Sequence, residues 1–260
     1  MKKTFIICGI VAAILICIGI ILLIVGSTFG FVGNIYSDES FTSQQDVSRL
    51  KIDVAAGNAK VSFYDGENVQ IEYQTHSKYG FVASESNGTV KLEQPHNTWW
   101  INWGWGMRRA PTATVKIPYA FILDLDIEIS AGAVDVESGT FGKLTADVSA
   151  GKLDFKNIVC AEAICNISAG NLSVDGMACT SLDCDVSAGN ASFTGVTCSD
   201  IDIDVSAGSL YMMVVGKKDD YSISVSKSAG SCNQSTQHVP NAVKRITIDV
   251  SAGSVTVNFI

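Results

Sequence analysis

Five cysteines recur along the chain at a spacing of 19 residues, in two sets: Cys160, Cys179 and Cys198, and then Cys165 and Cys184. Thiols that converge at short, fixed distances can bind a metal ion or form a disulfide bond. No Cys-x-x-Cys pair is present, and side chains at equivalent positions of stacked repeats point the same way, which suits a disulfide poorly. Because free cysteine packs well as a small apolar side chain, we expect two inert columns of buried thiols, with no metal ion and no other cofactor.

Carboxylates recur with the same period. Four residues before a series of glycines stand Asp53, Glu128, Asp147, Asn166, Asp185, Asp204 and Asp249, and two residues further back stand Asp126, Asp183 and Asp202. Ca²⁺ prefers about six to eight oxygen ligands, and such columns could supply several of them. The chain contains neither an EF-hand loop nor a Gly-Gly-x-Gly-x-Asp nonapeptide. We therefore expect these acids to keep an exposed strand face soluble.

All four tryptophans lie in the segment TWWINWGWGMRR, residues 98–109, at Trp99, Trp100, Trp103 and Trp105. Tryptophan is favoured where one side of the ring is apolar and the other is wet. Two interpretations remain open: a cap over the first coils, or an aromatic platform for a glycan, a wall polymer or the membrane interface. If the domain binds a ligand, these four residues are the sequence's best candidates for the contact surface.

The remaining sequence argues against catalysis and against nucleic-acid binding. The histidines, His76, His96 and His238, lie in no motif that would activate a nucleophile or hold a metal, and hydrolase, metalloprotease and nucleotide-binding motifs are absent. A net charge of −8 opposes binding to a phosphate backbone. Paired acids such as Asp183 and Asp185 leave a polysaccharide-acting enzyme as a less favoured alternative.

The glycines that set the period predict the fold. They are Gly57, Gly132, Gly151, Gly170, Gly189, Gly208, Gly230 and Gly253, each preceded by Ala, and the interval is 19 residues from the second to the sixth. Apolar residues alternate before each glycine, which is the period of a strand with one buried face, and the phase slips after it. Each glycine is predicted to turn the chain with a positive φ. The pattern predicts an all-β fold, a parallel β-solenoid with coils of about 19 residues.

Residues 47–260 are predicted to form this domain, with irregular first coils and a cap over 47–120 and regular repeats over 121–260. From Gly132 onward we expect seven coils stacked in chain order, with their glycine corners in a line. The chain ends at SVTVNFI with nothing after it to close the stack. We therefore expect the loop 233–244 to fold across this end, or the end to pair with another copy of the chain.

The segment before the domain predicts a membrane anchor. Residues 5–26 are apolar or small and uncharged, long enough at about 1.5 Å per residue to span a ~30 Å hydrocarbon core. The run is longer than a signal-peptide core and lacks an Ala-x-Ala cleavage site. Because two lysines precede it, the positive-inside rule places residues 1–4 in the cytoplasm. Residues 27–46 are then an extracellular tether, and the single-pass protein displays its C-terminal domain outside the cell.

Together these features resemble one bacterial family. The anchoring helix, the segments RLKIDVAAGNAKV and VKIPYAFILDLDIEISAGAVDV and the serial DVSAGxL repeats are similar to a domain of unknown function described as a β-strand-repeat or candidate adhesin family, common in Gram-positive bacteria. The resemblance covers about residues 46–260. It implies a non-catalytic binding or structural module at the cell envelope, with a cell-wall glycan or another envelope protein as partner. Some relatives are encoded beside envelope-stress signalling systems, so an accessory role in such a system is an alternative.

The topology can be tested with protease on intact cells. External protease should remove the domain from about Gly30 onward and leave a short membrane-bound fragment, because the predicted orientation exposes everything after the anchor. The measurement is the mass of the fragment that stays with the membrane. Protection of the domain until the cells are permeabilised would invert the orientation. Recovery of a mature protein that begins after Gly26 would show cleavage instead of anchoring.

Overall fold

The computed structural model describes residues 36–44, 46–76, 80–95 and 110–260. Its strands are β1 (Ser37–Thr42), β2 (Arg49–Val54), β3 (Asn58–Tyr64), β4 (Gln70–Thr75), β5 (Val82–Ser86), β6 (Thr89–Glu93), β7 (Thr112–Pro118), β8 (Leu123–Ile129), β9 (Ala133–Val136), β10 (Gly139–Val148), β11 (Lys152–Ile167), β12 (Asn171–Val186), β13 (Asn190–Val205), β14 (Ser209–Val214), β15 (Tyr221–Lys227), β16 (Ser231–Cys232), β17 (Lys244–Val250) and β18 (Ser254–Phe259). One turn of 3₁₀ helix, Lys218–Asp220, precedes β15. The predicted all-β class is confirmed. Within these described ranges no helix is both long and apolar enough to cross a membrane, and the predicted anchor at residues 5–26 lies outside them.

Parallel pairing at an offset of 19 residues builds the regular part of the domain. β10, β11, β12 and β13 pair side by side, with Leu153 opposite Leu172 and Leu172 opposite Ala191. This register brings the same position of successive repeats together. Because paired strands lie about 4.8 Å apart, each repeat advances the stack by one strand spacing.

Each regular coil has three short sides. In β11 the buried side chains fall into three groups: Leu153 and Phe155, then Ile158 and Cys160, then Ala163, Cys165 and Ile167. The alternation has a period of two within each group and slips between groups, so the strand bends twice, and the Ser-Ala-Gly corner provides the third bend. The inward side chains join one core, where each large one contributes roughly 1.5–3 kcal/mol.

The Ser-Ala-Gly corners lie in one line, as predicted, and join successive coils by backbone hydrogen bonds. The N–H of Asn171 donates to the carbonyl of Gly151 at 2.9 Å, and the next coil repeats this contact. A Cβ on Gly170 would lie 2.6 Å from the carbonyl oxygen of Gly151 and 2.5 Å from Cγ1 of Val148. Glycine is therefore required because the backbones of neighbouring coils approach too closely for any side chain.

The prediction of a positive φ at these corners is wrong. None of the corner glycines, Gly57, Gly132, Gly151, Gly170, Gly189, Gly208, Gly230 and Gly253, has a φ in the left-handed region. In the regular coils positive values occur six residues after a corner, at Asn157 (49°), Gly176 (80°) and Gly195 (70°). These three residues form the bend between the first and second sides of the coil. Glycine and asparagine tolerate this backbone conformation best.

At the C-terminal end the coils do not follow the chain order. β17 lies between β13 and β15, and β18 lies between β14 and β16. The prediction that seven coils stack in chain order, with SVTVNFI outermost, is therefore wrong. The lengths of the strands explain the exchange. β18 pairs with β14 over six residues, whereas β16 offers only two.

The loop 233–244 covers the outer edge of β15. Ile223 and Gln237 exchange two backbone hydrogen bonds of 2.8 Å, and the N–H of Val225 donates to Oγ1 of Thr236 at 3.1 Å. The expectation that this loop closes the C-terminal end is confirmed. The strand beneath it is β15 rather than β18, because of the exchange of coils.

A matching exchange occurs at the N-terminal end. β2 pairs with both β6 and β8, and β3 pairs with both β7 and β9. The first coil in the chain, β2 and β3, therefore lies between the coil of β6 and β7 and the coil of β8 and β9. Antiparallel strands then extend the outer coil. β5 joins β6 through the hairpin Asn87–Gly88, while β4 pairs with β7 on one side and β1 on the other. Much of the open strand edge at both ends is thus hydrogen-bonded within the chain.

Replacing Gly189 with alanine should lower the free energy of unfolding by roughly 1–3 kcal/mol, the usual cost of overpacking. The new Cβ would lie 2.5 Å from Cγ2 of Ile167 and closer still to the carbonyl oxygen of Gly170. Neither neighbour can move without disturbing the next coil. Urea unfolding of the full chain measures the change.

Gly195→Asn is the matched control. Gly195 has a positive φ, but the nearest atom to its Cβ position is 3.7 Å away, and Asn157 already adopts this conformation two coils earlier in the same column. This variant should unfold at nearly the same urea concentration as the parent. An equal loss of stability in both variants would contradict the close-approach explanation of the corners.

Candidate functional site

The predicted ligand residues, Trp99, Trp100, Trp103 and Trp105, lie outside the described residues. Within the described residues, exposed apolar side chains cluster after β7, where Tyr119 is 71% and Ile122 is 69% exposed. Tyr119 borders a groove of about 310 Å³ whose lining is Phe63, Tyr119, Glu137, Ser138, Lys156 and Asn157. We call this feature the aromatic groove.

Phe63 and Tyr119 form the apolar wall of the aromatic groove. Their ring centroids are 6.1 Å apart and their planes differ by 28°. Phe63 also packs edge-on against the buried ring of Phe141, at 5.7 Å and 66°. Gly139 makes room for this arrangement, because a Cβ there would overlap the ring of Phe63. One ring is therefore fixed against the core, while its partner is free to contact a ligand.

A tight turn presents Tyr119. Pro118 ends β7, and it has no N–H to donate to a sheet ladder. The N–H of Tyr119 donates to the carbonyl of Tyr64 at 3.0 Å, and the N–H of Phe121 donates to the carbonyl of Pro118 at 3.0 Å. The backbone of the turn is thus held in place while the Tyr119 side chain remains in solvent.

Four polar residues complete the aromatic groove. The Glu137 carboxylate accepts a hydrogen bond from Nζ of Lys60 at 2.8 Å, and this bond raises the pKa of the lysine. Nδ2 of Asn157 donates to Oγ of Ser138 at 3.4 Å. The rim therefore offers an acceptor on Glu137, donors on Lys156, and both kinds of group on Asn157 and Ser138.

An exposed aromatic face beside a mixed polar rim fits a sugar ring. The apolar C–H face of a sugar packs on an aromatic ring, and its hydroxyls both donate and accept hydrogen bonds. Glycoside hydrolysis generally needs two carboxyl groups flanking the bond to be cut. The described residues contribute one carboxyl group to the lining of the groove, Glu137, which is already engaged by Lys60. The geometry is thus suited to binding.

A larger concavity of about 570 Å³ lies over β1, β4 and β7. Several of its polar side chains already have hydrogen-bond partners within the chain. The Tyr73 hydroxyl donates to Glu39 at 3.1 Å, and Nζ of Lys116 donates to Glu72 at 2.7 Å. Because Tyr73 is partly buried and its hydroxyl is engaged, whereas Tyr119 is 71% exposed, the smaller aromatic groove is the better candidate for an external ligand.

The predicted acidic column exists. The strand register aligns Glu93, Asp53, Glu128, Asp147, Asn166, Asp185, Asp204 and Asp249, and only Glu93 was not predicted. Partial burial and then the nearby carboxylates, Asp183 foremost, raise the pKa of Asp185. Among the described residues, no group of three or more His, Cys, Asp or Glu side chains is arranged to hold a metal ion. The column thus concentrates like charge.

The two cysteine columns differ in accessibility. Cys165 and Cys184 are fully buried, and burial raises the pKa of both thiols, that of Cys165 to about 12. These two match the expected inert column. In the other column Cys179 is only half-buried, between the buried Cys160 and Cys198. A hydrogen bond donated by the Cys179 thiol raises its own pKa and lowers the pKa of the sulfur that accepts it.

The residues of the aromatic groove were missed by sequence reasoning. One signal was available. Aromatic residues outside the repeat have no periodic packing role, and this applies to Tyr119, which follows a proline between two strands, as well as to the tryptophans. The rim carried no comparable signal, because Glu137 and Lys156 come together beside Phe63 only through the pairing of β9 with β3 and β11.

Comparison with known proteins identifies the domain. The family described as Toastrack DUF4097 matches residues 47–259, and no curated protein matches the chain. A candidate adhesin from Parabacteroides distasonis is similar over 87% of this chain and 99% of its own, at 10% identity and a TM-score of 0.51. A candidate lipid-binding protein from the same species is similar over 85% and 96%, at 12% identity and a TM-score of 0.50. At these identities the similarity shows the fold alone.

Replacing Asp185 with asparagine should stabilise the protein at neutral pH by roughly 0.2–1 kcal/mol, the range for exposed charge pairs. Asn166 sets the precedent one coil away, where its Nδ2 donates to Asp147 at 2.7 Å. The folded-state pKa of Asp185 lies above its ordinary value of 3.8. Ionisation therefore costs stability as the pH rises through the folded pKa. Thermal unfolding of the full chain should show a gain at pH 7 that disappears below about pH 4.

Glu67→Gln is the control for loss of one negative charge, because Glu67 is exposed in the turn after β3, away from the column. This variant should change the unfolding temperature little at any pH. High salt should shrink the gain seen with Asp185→Asn, since screening weakens repulsion between exposed carboxylates. A gain that persists unchanged at acid pH would show that repulsion is not the cause.

Proposed function

Because this chain belongs to the Toastrack DUF4097 family, a family of unknown function, we propose its function from its own aromatic groove: a non-catalytic module that binds a polysaccharide of the cell envelope. The observation that carries the proposal is the exposed ring of Tyr119, stacked on Phe63 and facing a rim of hydrogen-bonding groups. Such a site needs no cofactor. Its affinity comes from ring stacking, and its selectivity comes from the positions of the rim groups.

The proposed setting is the outer face of the cell membrane. Residues 5–26 would anchor the protein by a single pass, residues 27–46 would serve as a tether, and the β-solenoid would extend into the envelope. Two structural neighbours with TM-scores of 0.51 and 0.50 are named a candidate adhesin and a candidate lipid-binding protein. Both names support a binding role at a surface.

A binding role is favoured over hydrolysis by the charges of the groove. Among the described residues the one carboxylate that lines it is Glu137, which is held by Lys60 at 2.8 Å, so these residues place no free acid pair where a glycosidic bond would lie. The paired acids of the sequence lie on the coil surface instead: Asp185 is in the acidic column beside Asp204, and Asp183 pairs with Asp202 two positions earlier. Repetition in register makes that column a uniform surface.

The proposal predicts that Tyr119→Ala weakens glycan binding at least tenfold, which corresponds to about 1.4 kcal/mol, because the exposed stacking face is lost. The unfolding temperature should stay the same, since the side chain is 71% exposed. The measurement is calorimetric titration of the full chain, in lipid nanodiscs, with soluble cell-wall polysaccharide fragments and a panel of oligosaccharides.

Ile122→Ala is the matched control, because Ile122 is equally exposed in the same turn but does not line the groove. It should bind as the parent does. A second arm replaces Trp99, Trp100, Trp103 and Trp105 with alanine and asks whether they add affinity. The proposal fails if no fragment binds, or if Tyr119→Ala binds as tightly as the parent. Loss of binding in the tryptophan variant alone would move the site to that segment.

A further inference from the structure

The column of Cys160, Cys179 and Cys198 has no role in the aromatic groove and differs from an ordinary core column. Cys179 and Cys198 are direct partners in the parallel pairing of β12 with β13. Cys160 lies one repeat before Cys179, where the ladder between β11 and β12 is interrupted at the bend. All three thiols are free. The column therefore places three sulfurs on successive coils at a bend of the chain.

Exposure separates this column from its neighbour. Cys165 and Cys184 are completely buried on the third side of the coil, whereas Cys179 is half-buried and reachable by a small solute. Cys160 and Cys198 are 6% and 2% exposed, just beneath it. The Cys198 sulfur also lies 3.2 Å from the carbonyl oxygen of Asp200 and 3.4 Å from that of Thr180, so its position is fixed.

We propose that this column is an oxidisable thiol site, in which Cys179 forms a reversible disulfide with Cys160 or Cys198. Neighbouring coils are about 4.8 Å apart, within the Cα separation that a disulfide can bridge. Cys160 and Cys198 lie two coil spacings apart, roughly 9.6 Å, which is too far for a direct bond. Cys179 must therefore take part in any disulfide within the column.

Hydrogen peroxide can supply the oxidising equivalents. One thiolate of the column attacks the peroxide, the O–O bond breaks, and a sulfenic acid and hydroxide form. A neighbouring thiol then attacks the sulfenic sulfur, and the S–S bond forms as water leaves. Two electrons pass from the two thiols to the peroxide. A hydrogen bond donated by Cys179 favours the thiolate that starts this sequence, since it lowers the pKa of whichever neighbour accepts it, Cys160 or Cys198.

The bond should be easily reduced. Side chains in register on parallel strands point the same way, so bridging them requires the sulfurs to rotate toward each other from their present packing. A disulfide formed against such a preference has a higher reduction potential than a relaxed structural one. The site is therefore suited to cycling between the reduced dithiol and the oxidised disulfide.

The test treats the full chain with hydrogen peroxide and maps its cysteines by mass spectrometry without reduction. Trypsin is unsuitable, because no Lys or Arg lies between Lys156 and Lys217. Cleavage before aspartate separates the three cysteines, since Asp175 and Asp183 stand between them. We expect one disulfide per chain that joins the Cys179 peptide to the Cys160 or Cys198 peptide, with loss of two hydrogen atoms and full reversal by dithiothreitol. Fragment sequencing distinguishes Cys160 from Cys165.

Cys184→Ser is the matched control, because Cys184 is buried in the neighbouring column, and it should leave the disulfide intact. Cys179→Ser should abolish it, as should the double change Cys160→Ser with Cys198→Ser, which serves if the single variant folds poorly. The proposal is overturned if Cys179 stays reduced in the folded parent or is driven only to sulfinic and sulfonic acids. A disulfide within the column that survives Cys179→Ser would also overturn it.

Discussion

The close approach of backbones at the Ser-Ala-Gly corners is the constraint on which the rest of the domain depends. N–H groups of the corners donate to carbonyls of a neighbouring coil at 2.7–3.0 Å, and a Cβ on Gly170 would lie only 2.6 Å from the oxygen of Gly151. A single spacing is therefore imposed on the whole stack at one edge. The other two sides follow this spacing, because their strands start and end at the same corners.

That spacing explains why equivalent side chains form columns and why repulsion between like charges builds up along the charged columns. Identical positions meet in register, so like charges and thiols are stacked one above another. Opposite charges interrupt the stacking where the repeat changes. Arg245 binds Asp200 at 2.7 Å near the C-terminal end, and Lys143 binds Glu162 at 3.0 Å where the regular repeats begin. Exposed pairs of this kind contribute little individually, but they break up runs of repulsion.

The regular coils could be predicted from the sequence because the residue pattern that specifies them is local and recurs in every coil. Alternation before each glycine identified the buried face, for example Leu182, Cys184 and Val186 in β12, all buried. The reason for glycine was misjudged, because crowding against a neighbouring coil is a contact between residues 19 apart and leaves no trace in local backbone preference. At Gly176 the requirement for glycine is local, because the backbone there has a φ of 80°. The sequence did not reveal this requirement, because the equivalent position of the preceding coil is Asn157 and the glycine is therefore not repeated in every coil.

The order of the end coils could not be predicted, because it is decided by competition between two strands for one partner. β16 follows β14 in the chain, yet β18 displaces it by offering six paired residues in place of two. A similar competition places β2 between β6 and β8. The order of the corner glycines along the chain does not reveal the spatial order of the end coils, since each corner is equally able to stack on any other.

The location of the aromatic groove follows from the same physics. A strictly periodic surface presents one side chain repeatedly, so it cannot gather different chemical groups around one point. The groove forms where the repeat is least regular: Ser138 and Asn157 have side chains at the bend where later coils have Gly176 and Gly195. Phe63 reaches it from the inserted first coil and Tyr119 from a turn outside the repeat. Regular coils thus supply the rigid support, and the departures from the period supply the groups that can recognise a ligand.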